Sequence, residues 1–198
     1  MAVDLGTLPR GTQYFVREVS RARSMSPTHG GGPDTMIRRL GDRSAIEVQV
    51  PAIASGGCGP GLVVDLLRAR TEGAVIAIPE PKVPPGDYGV PLVLGSNQQG
   101  ETLNVDGLTP GVVIPKGKWL SVIASGRRFA YLTTAEVIAN GSGQAALPIW
   151  PMIRRSPPDN AVVELAEPKL EGFVQDVVER EVRSIGAISV SFRITERE

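Results

Sequence analysis

Chemistry in this sequence would have to come from few side chains: one histidine, His29, one cysteine, Cys58, and carboxylates scattered along the chain. A Ser-His-Asp relay needs an imidazole held rigidly between nucleophile and acid. His29 lies in Pro27-Thr28-His29-Gly30-Gly31-Gly32-Pro33, a run that favours turns and offers no such rigidity. It is expected to be an ordinary loop residue; the sharper alternative is an imidazole contact on a partner surface. One His and one Cys cannot build a His- or Cys-based metal site. Asp4, Asp34 and Asp42 form no local cluster, and the EF-hand spacing is absent. Cys58 stands between glycines at a tight turn, so a small apolar filler is expected over a reactive thiol. Glu167, Glu171, Asp176, Glu179 and Glu181 supply carboxylates for an acid–base pair. Such a pair needs two different environments across one cleft, and the bland reading is a solvated or subunit-contact face. Residues 111–118 end in Lys116-Gly117-Lys118, yet they miss the GxxxxGK[ST] spacing, and Trp119 replaces the metal-binding hydroxyl. Two turns around a short strand are expected there instead. The pairs Arg127-Arg128 and Arg154-Arg155 are read as scattered surface charge. No catalytic residue, metal ligand, cofactor or nucleic-acid-binding residue is therefore expected.

Composition narrows the classes further. The 198 residues suffice for one ordinary domain or two small ones, and 41% apolar content supports a core built mainly on aliphatics. Lys plus Arg equals Asp plus Glu at 21 each, which argues against phosphate-driven binding of nucleic acid and permits close packing of copies. The single Cys excludes an intrachain disulfide. The first residues lack the charge-then-apolar order of a signal peptide, and no apolar run is long enough for a membrane-spanning helix. Asn140-Gly141-Ser142 matches a glycosylation sequon but reads as turn chemistry.

The elements that would position these residues are mostly strands. Residues 14–19 and 44–50 alternate, the latter placing Ile46, Val48 and Val50 on one face. Between them, residues 21–33 read as a polar, flexible excursion. The run Ser55-Gly56-Gly57-Cys58-Gly59-Pro60-Gly61 precedes a helix whose stripe is Leu62, Val63, Leu66 and Leu67, with Gly73 as its stop. Residues 74–78 form a buried strand. After the Pro- and Gly-rich stretch 84–89 come short strand-and-turn units, with the best hairpin signal at Asn140-Gly141-Ser142-Gly143 joining 129–138 to 145–150. Pro148 and Pro151 place the latter run at an edge or at a break. Residues 184–195 alternate and are expected to return to the first sheet. The expected fold is mainly β, with one short helix and an inserted small β-barrel or β-sandwich. Residues 1–94 plus 171–198 form one β domain, and 95–170 form the insertion.

Residues 104–174 carry the most specific pattern: Asp106-Gly107, Gly111, Gly117-Lys118, Asn140 through Gly143, Ile149-Trp150-Pro151, Arg154, Pro158-Asp159-Asn160-Ala161 and Phe173. This stretch resembles distal tail proteins of siphophages, although Lys118 stands where an acidic residue is expected and Asn160 where glycine is frequent. The order of parts resembles that family's layout as well. The resemblance implies a β-sandwich-like tail-tube or belt domain carrying the insertion. It further implies a ring of six copies at the distal tail tip of a virion, assembled in the host cytoplasm and joining the tail-tube protein to hub or other baseplate proteins. DNA would pass the channel without specific binding, and no membrane insertion or catalysis is implied. Gly107, Gly111, Gly117, Asn140, Gly141, Gly143, Trp150, Pro151 and Pro158 then serve as fold and turn markers. Arg21, Arg23, Glu179, Arg180, Glu181 and Arg183 are the candidate inter-subunit contacts. The alternatives are another tube or hub-associated protein, and a carbohydrate-binding module using Trp119, Trp150 or Tyr131.

Overall fold

A computed structural model describes residues 2–26, 32–37, 41–54, 59–80, 86–183 and 187–197, with backbone alone at 53–54, 176–183 and 187–188. The loop around His29 and the turn holding Cys58 lie outside the described residues. The chain forms β1 (Val3–Asp4), β2 (Gln13–Val19), β3 (Arg23–Met25), β4 (Thr35–Ile37), β5 (Arg43–Ala54), α1 (Gly59–Glu72) and β6 (Ala74–Ala77). It continues through β7 (Leu92–Val93), β8 (Thr102–Asp106), β9 (Val113–Ile114), β10 (Trp119–Ala124), β11 (Arg127–Thr133), β12 (Val137–Ile138), β13 (Ala145–Trp150) and β14 (Val163–Glu164). Two long strands close it, β15 (Lys169–Arg183) and β16 (Ala187–Glu196). Among the described residues the fold is mainly β with this one helix.

The first six-stranded sheet has the order β1-β6-β15-β16-β5-β2 and draws on both ends of the chain. Its core face follows period two: Ile46, Val48 and Val50 on β5 meet Val190, Phe192 and Ile194 on β16 and Leu170 and Val174 on β15. Helix α1 covers this face with Leu62, Val63, Leu66 and Ala69. Leu67, read into the apolar stripe, is 53% exposed, and Ala69 takes its place. At 100° per residue, positions 62, 66 and 69 stay in line while 67 turns aside. The helix stops at Gly73, whose φ is 91° and whose N–H reaches the Ala69 carbonyl at 3.1 Å.

The second sheet, β14-β10-β11-β13-β8-β7, is curled and barrel-like around its own core, which includes Tyr88, Leu103, Leu120, Tyr131, Leu147 and Ile149. Leu92 bridges Val162, and Val93 N–H to Ala161 O (2.9 Å) with Val163 N–H to Pro91 O (3.0 Å) closes the seam. Leu92–Val93 and Tyr88, placed by sequence with the first 94 residues, thus belong to the second sheet's strands and core. Residues 169–170, placed with the insertion, open β15 of the first sheet by pairing with β6.

Two local expectations take a more specific form. The turn at residues 140–143 does reverse the chain, with Asn140 Oδ1 accepting the Ser142 and Gln144 N–H groups at 2.9 Å. The reversal carries an excursion: β13 pairs back onto the end of β11, Leu132 with Trp150 and Thr133 with Ile149, and with β8 on its other side, while β12 between them pairs with β9. Gly143 fits this turn, since its φ is 71° and a Cβ there would sit 2.3 Å from the Leu108 carbonyl oxygen. Strand β13 is interior, not an edge. Pro148 is tolerated because its missing N–H faces Thr134, one residue past the end of β11.

Candidate assembly interface

Edges decide what a β protein can join. A strand with one unpaired side presents a row of N–H and C=O groups that another chain can complete. The second sheet hides its edges by curling onto itself. The first sheet does not. One edge is β1, only two residues long; the other is β2, seven residues long and paired on one side only, with β5. Val16 sits opposite fully buried Ile46 yet is 40% exposed, and Phe15 on the other face is 43% exposed. Within the two six-stranded sheets, among the described residues, β2 is the one terminal strand longer than two residues, although β15 beyond Gly172 also has β16 alone as its ladder partner.

The charged residues singled out from sequence lie at two ends of the first sheet. Arg21 follows β2, donating its backbone N–H to Asp42 Oδ1 at 2.6 Å, and Arg23 opens the exposed β3–β4 ribbon. Glu179, Arg180, Glu181 and Arg183 pair in backbone register with Ser191, Val190, Ser189 and Ala187, beside the far end of β5. Along β5 the two sets are separated by roughly 25–35 Å at about 3.3 Å per residue. They do not form one patch.

The markers act through backbone geometry. Gly107, Gly111, Gly117 and Gly143 have positive φ, Gly141 does not, and Gly107 admits the Val90 carbonyl oxygen to 2.3 Å from where a Cβ would stand. Trp150 ends β13 and joins Pro151 through a cis peptide, while the Pro158 carbonyl accepts the Ala161 N–H at 3.3 Å. Asn160 has φ 60°, a conformation that asparagine and glycine both tolerate, which accounts for its place in a glycine-rich pattern. Lys118 is buried, paired with Glu80, and 5.3 Å from the Tyr88 ring centroid.

Sequence reasoning missed the junction between the sheets. Strand β13 ends at Trp150, so the N–H groups of Arg128 and Ala130 on the outer side of β11 have no ladder partner. Two carboxylates of the first sheet take them: Arg128 N–H donates to Glu171 Oε2 at 3.1 Å and Ala130 N–H to Glu196 Oε1 at 2.7 Å. Glu196 also accepts the Ser44 N–H at 3.1 Å and pairs with Arg154, its side chain fully buried. Glu80 accepts the Trp119 N–H at 2.8 Å. Arg154 lies over Phe129 and Tyr131, 5.4 and 5.8 Å from their centroids. Burial pushes the Tyr131 phenol above its usual range, and the Arg154 cation pulls it part of the way back. A signal for Glu196 was present: Val190, Phe192, Ile194 and Glu196 share one period-two face, so a carboxylate falls on the core side.

The residues weighed for other readings are placed as follows. Glu171 serves the Arg128 amide, whereas Glu167 is exposed. A cleft of about 680 Å³ beside β1 mixes Asp4, Glu72 and Glu171 with Arg127, Arg128 and Arg197, a nearly neutral lining. Among the described residues no group of three or more His, Cys, Asp or Glu is placed to hold a metal. Tyr131, proposed as a sugar platform, is 2% exposed, and Trp119 packs against the first core. No helix among the described residues is long and apolar enough to cross a membrane. No protein-family model and no curated protein sequence matches this chain.

Proposed function

We propose that this chain is a ring-forming structural subunit of a phage tail tip. Its first sheet is the belt unit of the ring, and its barrel is an insertion carried on that ring. The observation that carries the reading is the contrast between the two sheets: one closes on itself, the other keeps the long edge β2 open with Phe15 and Val16 exposed. An edge of that kind is hazardous in a lone protein and useful in one whose neighbour covers it. Head-to-tail contacts of one patch with a different patch generate rings when the rotation between copies closes. Six such sheets set side by side, at about 4.8 Å per strand, give a mean diameter of about 55 Å, wider than a DNA duplex. The charged sets at opposite ends of the sheet suit stacked neighbours, tube protein on one side and hub protein on the other. The working parts in this reading are surfaces, and no catalytic step or cofactor is assigned.

The test is mass by light scattering, with negative-stain images, on the parent and on Phe15→Lys/Val16→Lys. The parent is expected to form rings at micromolar concentration and the variant to be a folded monomer with unchanged circular dichroism. Rings that persist in the variant would remove β2 from the interface. Antibody labelling of virions along the tail shaft, or not at all, would overturn the tail-tip placement.

A further inference from the structure

The two units share little apolar contact: from the barrel, Ala130 and Trp119 reach the first core. Apolar contact is non-directional, so a patch this small does not fix an angle. The polar contacts do. Glu80, Glu171 and Glu196 hold the β10–β11 hairpin at Trp119, Arg128 and Ala130. Trp119 pairs with Leu132, so the outermost anchors lie about 13 Å apart along the hairpin, on two different strands. All three anchors lie on one two-stranded hairpin about 4.8 Å wide, so they hold its direction more firmly than its tilt about that axis. Arg154 then ties the segment after β13 to the same carboxylate that holds β11 and β5. Its side chain is 8% exposed, and its Nε and Nη1 atoms have no hydrogen-bond partner among the described residues.

A guanidinium buried with donors unpaired is a poor device for stability, because desolvation offsets most of the attraction. We infer that the Arg154–Glu196 pair is an orientation lock. It selects one angle between barrel and sheet, and an apolar replacement would keep the fold while releasing the angle. This holds whatever assembles around the first sheet, so it stands apart from the tail-tip reading.

The experiment labels Arg70→Cys on α1 and Glu136→Cys on the barrel, both exposed positions, with Cys58→Ser in all chains. Spin-label distance distributions are then compared between this parent and the same chain carrying Arg154→Met/Glu196→Gln. The parent is expected to give one narrow distribution. The double variant is expected to unfold at a temperature close to the parent's while its distribution at least doubles in width. Arg154→Lys keeps the buried charge without the flat guanidinium that lies over Phe129 and Tyr131, and is expected to broaden the distribution as well. A broad distribution in the parent, or the parent's width in whichever of the two variants folds, overturns the lock.

Discussion

Replacing Glu196 by Gln changes two atoms' chemistry and almost no volume, so its cost is electrostatic. The carboxylate is fully buried and accepts from Ser44 N–H, Ala130 N–H and Arg154. An amide keeps one acceptor oxygen and turns a donor toward one of these three donors. Arg154 loses its anion, and breaking a buried pair from one side costs about 3–5 kcal/mol. One backbone N–H left without an acceptor adds about 1–3 kcal/mol. The two share a site and do not add fully, so a loss of about 4 kcal/mol is expected from a total of about 5–15 kcal/mol. Urea unfolding followed by fluorescence suits the site, since Trp119 and Trp150 both pair with Leu132 beside the junction. With a slope of about 2 kcal/mol per molar urea, the midpoint should fall by about 2 M. Adding Arg154→Met should recover a large part of that loss, because no unpaired buried charge remains. A shift below about 0.5 M for Glu196→Gln alone would refute the reasoning, as would no recovery in the double variant.

Gly143→Ala and Gly111→Ala both put a side chain at positive φ, but only the first meets the Leu108 carbonyl oxygen. Gly111→Ala should cost about 1–2 kcal/mol and Gly143→Ala clearly more; equal thermal midpoints would contradict the close approach. Burial raises all three tyrosine phenols above the ordinary value, most plainly Tyr131. A raised folded value favours the neutral form, so this stability is complete below about pH 10 and is lost as pH rises through the folded values. Phenolate absorbance should therefore appear at higher pH in native than in urea-unfolded protein, and coincident curves would contradict the burial.

Local pattern was legible in the sequence and pairing was not. The alternation of Ile46, Val48 and Val50 located β5 and its buried face, and Gly73 marked the end of α1. Leu67 misled because two adjacent leucines look alike in sequence, while only one rotates onto the sheet. Asn140 through Gly143 announced a reversal, and β13 does return to β11, but its second partner β8 and the departure of β12 toward β9 rest on contacts made across the barrel. Leu92–Val93 is too short to declare its sheet; closure against residues 161–163 assigns it. The junction was hardest of all. Glu196 reaches Ser44 across most of the chain, and spacing tells which face a carboxylate occupies, not which amides await it there.

The closing seam has an evolutionary consequence. Strand β7, where the chain enters the barrel, lies against residues 161–163, where it prepares to leave, and just outside it Ile78 N–H meets the Pro168 carbonyl at 2.8 Å. Entry and exit share a single doorway. The barrel is therefore a cassette: recombination could excise it, shorten it or exchange it for another module with neighbouring ends. The strands on either side of the cut, β6 and β15, would still meet along their own ladder, Ala77 opposite Lys169.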